Sequence, residues 1–242
     1  LPLFTIITIT FNNRGGLYKT AQSIIGQTCT DYEWIIIDGA STDATGDDFI
    51  NYPSAKIISE TDNGIYDAMN KGLANATGHY IIFMNAGDSF AARYILEKVS
   101  FITKENPDFI YGDSTEDNHL KRARHHSKVN WGMFTHHQAM FYNRLSLGDI
   151  RYNLNYKIAA DYDLTVQFLK NAKTILYLAA PICIFEAGGI SQTNAKLGRD
   201  EQFESRKENM VCNQFTNHMI SVIQAWRFFL RQQFPKLYWF LK

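Results

Sequence analysis

The chain has 242 residues, 45% hydrophobic and 14% aromatic, with 24 basic and 24 acidic side chains and a formal net charge of zero. A chain of this length and composition buries one substantial core, as one α/β domain or a domain with an appendage, and is not disordered. Its three cysteines, Cys29, Cys183 and Cys212, lie far apart without a CxxC pair, which argues against a zinc knuckle or a disulfide framework and fits a reducing cytoplasm.

The opening LPLFTIITIT carries no charge before Arg14 and reads as a first core strand rather than a secretion signal. After it the runs GGLYKTAQSIIGQ, YEWIIID, AKIISE, IYDAMNKGLANA and HYIIFM alternate helical and β-branched patterns, with a turn-rich STDATGDD between the second and third. Such alternation builds parallel βαβ units with helices on both faces of the sheet. The strand runs are apolar throughout, as doubly covered strands should be. Ligands of such sheets bind beyond the carboxyl ends of the strands, which here are residues 10–13, 38–41, 60–64 and 85–88. The segment TFNNRGG after the first strand has neither GxGxxG nor GxxxxGK[ST]. A rim that offers carboxylates suggests instead a ligand held through a divalent cation, because bare carboxylates repel phosphate.

In residues 65–76, Ile65, Ala68, Met69, Leu73 and Ala76 recur at helical spacing as a buried stripe, while Asp67, Asn70 and Lys71 share another face. That second face is either a binding surface or the polar side of a capped helix with a Lys–Asp pair. Asn63-Gly64 turns the chain into a helix N-terminus that favours an anion. The strand YIIFM then runs into NAGD, where Asp88 is either a metal-holding acid or the cap of a helix starting near Phe90.

Further on, HLKRARHHSK over residues 119–128 is a solvated basic surface or a face toward an anionic acceptor. His136-His137 precede Gln138 and an apolar run. In AADYDLTVQFLKNA, Leu164, Phe168 and Ala172 mark a packed helix whose start carries Asp161 and Asp163. FEAGGISQTNAKLG, residues 185–198, is a surface connection or a loop that closes over a ligand. From Asn209 onward the chain has four basic residues and no acid. There Met219, Val222, Ile223 and Trp226 predict one face, and Gln224, Arg227 and Arg231 another, suited to a membrane interface or to closing over the core. No apolar run reaches the roughly 20 residues that span a bilayer.

TIITITFNN, WIIIDGASTDAT, SETDNGIYDAMNKGLANATGHYIIFMNAGD, HHQAMFY and AADYDL, in that order, resemble the family 2 glycosyltransferases, in particular those that build colanic acid and other bacterial surface polysaccharides. The resemblance spans residues 3 to 190. It implies a GT-A fold of the α/β class, with a mostly parallel central sheet, helices on both faces and a helical segment behind them. The implied domains are residues 1–208, with a donor half to 115 and an acceptor half from 116, and an extension over 209–242.

The activity it implies is metal-dependent, inverting transfer of a sugar from a nucleotide diphosphate donor, UDP-linked, to a hydroxyl of a lipid-linked saccharide. The acceptor would be of the undecaprenyl diphosphate type, and the enzyme cytoplasmic, touching the inner face of the cell membrane peripherally through its C-terminal tail. No nucleic-acid partner is expected. Carried onto this chain, the resemblance puts Thr10, Asn12 and Asn13 at the nucleoside pocket and Asp38 near base and ribose. Asp62, Asn70, Lys71 and Asn85 fall at the donor, with Lys71 toward its diphosphate, and Asp88 holds Mn²⁺ or Mg²⁺. Asp161 is the implied base, in a place where relatives read Glu-Asp and this chain reads Ala160-Asp161. Asp163 is the second candidate there, at the acceptor with His137. A sugar nucleotidylyltransferase, or a non-catalytic nucleotide-sugar-binding subunit, stays open as the alternative, although TFNNRGG supplies the first poorly.

Overall fold

A computed structural model gives the architecture over residues 1–186, 188–189 and 193–234. Strands β1 (Phe4–Thr10), β2 (Tyr32–Asp38), β3 (Ala55–Ser59) and β4 (Tyr80–Phe83) pair in parallel in the order β3-β2-β1-β4. Helices α1 (Arg14–Ile25) and α2 (Ile65–Asn75) cover opposite faces of this half-sheet. Ile6, Trp34 and Ile36 point to α1 with Leu17, Ala21 and Ile24, whereas Ile7, Ile9, Ile35 and Ile37 pack with Met69 and Leu73 of α2. Alternate residues thus enter two different cores, which is why the strand sequences show no polar alternation.

The second half of the sheet is mixed. β8 (Met140–Asn143) runs antiparallel to β4 and to β6 (Phe109–Glu116), and β9 (Ile175–Phe185) runs parallel to β6. β7 (His119–Lys121) folds back on β6, so the basic run 119–128 begins as a strand, with His119 and Leu120 exposed as on a solvated surface. β5 (Ser89–Phe90) pairs with β9, and the next helix, α3 (Ile95–Ile102), starts well after it. No helix begins near Phe90, so Asp88 is not a helix cap. After the single-turn α4 (Arg144–Leu147), α5 (Ala160–Leu169) buries Leu164 and Phe168 in the α2-side core. α6 (Ala195–Glu208) packs on α5, and α7 (Gln214–Gln233) packs on α6.

Two features of this frame position the rim. The register sets Thr10 beside Asp38 and Asp38 beside Ser59. β1 has β2 on one side and β4 on the other, and connections that leave a sheet in opposite directions open a crevice at the carboxyl ends between them. The glycine of MNKG explains how α2 lies so close: a Cβ at Gly72 would meet the Ile7 side chain below contact distance. Gly72→Ala should therefore cost about 1–3 kcal/mol by overpacking, measurable as a lower Tm. Ile65 does not join the buried stripe as expected and stays 37% exposed. Its neighbour Tyr66 is buried instead and donates its hydroxyl to the Ile158 carbonyl at 2.6 Å. Among the described residues no helix is long and apolar enough to cross a membrane.

Candidate active site

The loops after β1 and β2 are stitched to each other. Asn12, with φ +48°, accepts the Thr42 and Asp43 amides on its Oδ1 at 2.7 and 3.2 Å, and its own amide donates to Ser41 Oγ. Asp38 is buried and accepts the Ser41 hydroxyl, the Ser41 amide and the Ser59 hydroxyl. Both of its oxygens hold the rim in shape between the loop after β2 and the end of β3. Asn13 caps α1 through the Gly16 amide and donates to the Ala86 carbonyl at 3.2 Å, joining the β1 and β4 loops. Thr10 points inward with a buried Oγ1 that has no partner. Phe11, which no motif singles out, is 62% exposed, and a Cβ at Gly39 would lie 3.2 Å from its ring and 3.0 Å from Asp62 Oδ2. An aromatic ring, a bare backbone and a carboxylate converge there.

Lys71 is not poised at an open diphosphate site. Its Nζ lies 2.6 Å from Asp62, 3.0 Å from Glu60 and 2.8 Å from the Thr61 carbonyl. An ammonium has three donors, and these fill them. The Asp62 hydrogen bond leads in raising its pKa, and its role is to hold loop 60–62. Asn70 likewise departs from expectation. Its amide closes a two-way bond with the Tyr152 backbone, 2.9 Å in each direction, and so pins loop 152 to α2.

The NAGD turn is built from outside itself. Thr20 of α1 donates to the Asp88 carbonyl and accepts from the Gly87 amide, and Gly87 adopts φ +106°, which suits glycine. Asp88 is 4% exposed, with Oδ2 taking Gln138 Nε2 at 2.6 Å and Oδ1 taking the Glu186 amide at 2.9 Å. Burial pushes its carboxyl above the ordinary aspartate value, against the pull of these donors and of His137. Asn85 Nδ2 sits 3.3 Å from His137 Nε2, and the other ring nitrogen of His137 is 3.5 Å from Asp161 Oδ2. His137 therefore links the turn after β4 to the first turn of α5. Asp161 keeps 22% of its side chain exposed and accepts the Tyr162 amide.

Asp163 faces the other way. It is buried, accepting Ser205 Oγ at 2.7 Å, Asn209 Nδ2 at 2.8 Å and Gln167 Nε2 at 2.7 Å. The first two bonds fasten α5 to α6 and the third lies within α5, so this carboxylate faces the helix packing and not the side of α5 that His137 reaches. Glu201 of α6 completes the fastening by accepting the amides of Lys157, Ile158 and Ala159, each at 2.8 Å, just before α5 begins. Nothing in the local sequence marks Glu201, because its partners lie more than 40 positions away. Glu186 carries no motif of its own, although directly after β9 it holds a strand-end position like that of Asp88 after β4. Its carboxylate lies over Gly87 and 3.6 Å from Lys19. Beside it His136 stacks on Phe185 at 4.1 Å and approaches Glu116, which also pairs with Lys121. The His136 hydrogen bond, helped by Lys121 and opposed by burial, holds the Glu116 carboxyl down to about 2. Of the loop over residues 185–198, Ala187, Ile190, Ser191 and Gln192 lie outside the described residues, and so does the expectation of closure.

Among the described residues no three His, Cys, Asp or Glu side chains form a cation cage. The donors present fit a less demanding arrangement. Mg²⁺-like ions bind through one or two carboxylates and complete their shell with water and substrate phosphate. Asp88 supplies such a carboxylate, and Asn85 Oδ1 and Gln138 Oε1 are buried oxygens without a partner on the same network.

The family described as Glycosyl transferase family 2 matches residues 5–161. The chain is 35% identical over 213 residues to the PGL/p-HBAD biosynthesis glycosyltransferase of Mycobacterium bovis, covering 79% of this chain and 80% of that one. The chain belongs to glycosyl transferase family 2. Its GT-A fold is shared with S. aureus TarS in complex with UDP-GlcNAc, at TM-score 0.72 and 17% identity over 92% of this transferase and 71% of that chain. It is shared as well with the mannosyltransferase PcManGT from Pyrobaculum calidifontis in complex with GDP-Man and Mn²⁺, at TM-score 0.68 and 17% identity over 88% and 65% of the two chains. In this transferase the matched span ends at Asp161 itself, so the residues from the first strand to the α5 carboxylate form one family unit.

Proposed function

We propose that this transferase moves a sugar with inversion from a UDP-linked donor to a hydroxyl of a lipid-linked saccharide, of the undecaprenyl diphosphate type, in bacterial surface polysaccharide synthesis. The observation that carries the reading is the continuous contact from Asn85 through His137 to Asp161, which joins the donor-side rim to a partly exposed carboxylate. Phe11 and Gly39 offer the nucleoside a ring and a close backbone approach, with Asp62 beside them. Asp88, Asn85 and Gln138 would hold Mn²⁺ or Mg²⁺. Such a cation, when bound, offsets the charge that develops on the leaving diphosphate.

The chain's own part of the chemistry is proton transfer and alignment. The acceptor oxygen attacks the anomeric carbon while the bond to the diphosphate breaks and its electron pair leaves with that group. The hydroxyl proton passes to Asp161, and attack from the face opposite the diphosphate inverts the centre. Work at the inner face of the cell membrane follows from the lipid on the acceptor. The TarS complex with UDP-GlcNAc supports a UDP-linked donor, and the PcManGT complex supports a Mn²⁺-borne one.

The test is ligand-dependent unfolding. UDP with Mn²⁺ at about 100 times its Kd should add about 2.7 kcal/mol of stability, and Asp88→Asn should abolish the Mn²⁺-dependent part while UDP alone still binds. A wild-type Tm that does not move with UDP and Mn²⁺, or that moves only with GDP, would overturn the donor assignment.

A further inference from the structure

Helix α7 has two faces with different fates. One grips α6: Asn217 and Ser221 accept from the fully buried Arg206, at 2.6 and 3.1 Å, and Phe228 lies under Arg199. Gln224 donates to the Trp131 carbonyl and to Gln202, so it belongs to this inner face and not to the polar outer face expected of it. Ile220 is buried and Ile223 partly buried alongside. On the outer face Phe215, Met219, Val222, Trp226 and Phe229 follow one another at alternating steps of four and three residues, all between 43% and 79% exposed. Five large apolar side chains in one unpartnered row are not an accident of scattered surface residues.

Charge selects the occupant. α7 contains no acid, Arg227 is exposed beside the row, and from Asn209 to Lys242 the sequence adds only cations. Two copies facing each other through this row would meet cation with cation, and the row covers only two heptads where a stable seam takes three or four. A largely aromatic row with Arg227 beside it, on a helix without acids, suits the boundary between anionic headgroups and acyl chains. We infer that α7 lies flat in the surface of an anionic bilayer, with the row Phe215, Met219, Val222, Trp226, Phe229 facing the lipid.

The inner face then gives the contact a consequence. α7 is fixed to α6, and α6 holds α5 through Ser205, Asn209 and Glu201, so the membrane plane is set relative to Asp161 by packed helices. The inference rests on the α7 surface and deepens the proposed function only in saying how the enzyme meets a lipid-borne acceptor.

Flotation of the full chain with phosphatidylglycerol-containing vesicles tests it. Wild type should float with these vesicles, weakly with pure phosphatidylcholine, and less as salt rises. Val222→Asp/Trp226→Asp should reduce flotation at least about tenfold with an unchanged Tm and an unchanged UDP-induced shift, since both residues are exposed. Flotation of that variant equal to wild type overturns the inference. So does loss of flotation on removing residues 235–242 alone while the double variant still floats, or sedimentation showing a lipid-free dimer that the double variant dissolves. Because no sugar transfer is read, failure here leaves the donor and acceptor assignment standing, and the reverse also holds.

Discussion

Asp161→Asn should lower turnover by a factor of about 10²–10⁴, the range for removing a general base, without moving Tm or the UDP-induced stabilisation. Asparagine preserves the size of the side chain and the acceptor for the Tyr162 amide, so the first turn of α5 survives. What disappears is the ability to receive a proton at the oxygen that faces His137. Three tyrosine hydroxyls feel the Asp161 charge, those of Tyr66, Tyr142 and Tyr152, and burial raises the pKa of each first. They stay protonated at neutral pH and offer no replacement base. Single-turnover rates within about threefold of wild type, well below the range for a lost base, would remove Asp161 from the mechanism.

Asp163→Ala, two positions away, should do the opposite. It should cost at least about 3 kcal/mol of stability, because hydrogen bonds to a charged group are worth about 1.5–3 kcal/mol each and more than one donor is left unpaired. For a chain of this size that is a fall in Tm of about 6–12 °C, with turnover per folded molecule reduced far less than by Asp161→Asn. The donors that lose their acceptor, on Ser205, Asn209 and Gln167, sit in the contact between α5 and α6. Thermal unfolding beside kinetics at low temperature separates the two aspartates. An Asp163→Ala protein with wild-type Tm and lost turnover would exchange their roles.

This contrast marks where the sequence was legible. LFTIITIT, YEWIIID and AKIISE are apolar enough to be strands covered on both sides, and the polar residues after each mark the carboxyl rim whatever the rest of the fold does. The acids at the ends of such runs, Asp38 and Asp88, stand out for this reason. Periodicity also separated the buried side of α2 from its polar side, apart from Ile65 at the helix start.

Periodicity says which face a side chain occupies, but not whether its hydrogen-bonding capacity is already taken. Lys71 and Asn70 lie on the expected polar face of α2 and Asp163 in the expected first turn of α5, and each is engaged by groups from its own chain. Some of those partners are far away in sequence: Tyr152 is 82 positions from Asn70, and Asn209 is 46 from Asp163. No local pattern carries that information. The same distance hid Glu201, which holds loop 157–159 from an element formed much later in the chain.

The sequence alone determined the α/β alternation, the parallel first half and the family, because strand burial and ordered motifs are properties of short segments. Tertiary structure decided which acids remain available, since a carboxylate becomes a base or a brace according to the donors that other segments bring to it. Asp161 and Asp163 share one helical turn, yet His137 reaches one and α6 surrounds the other.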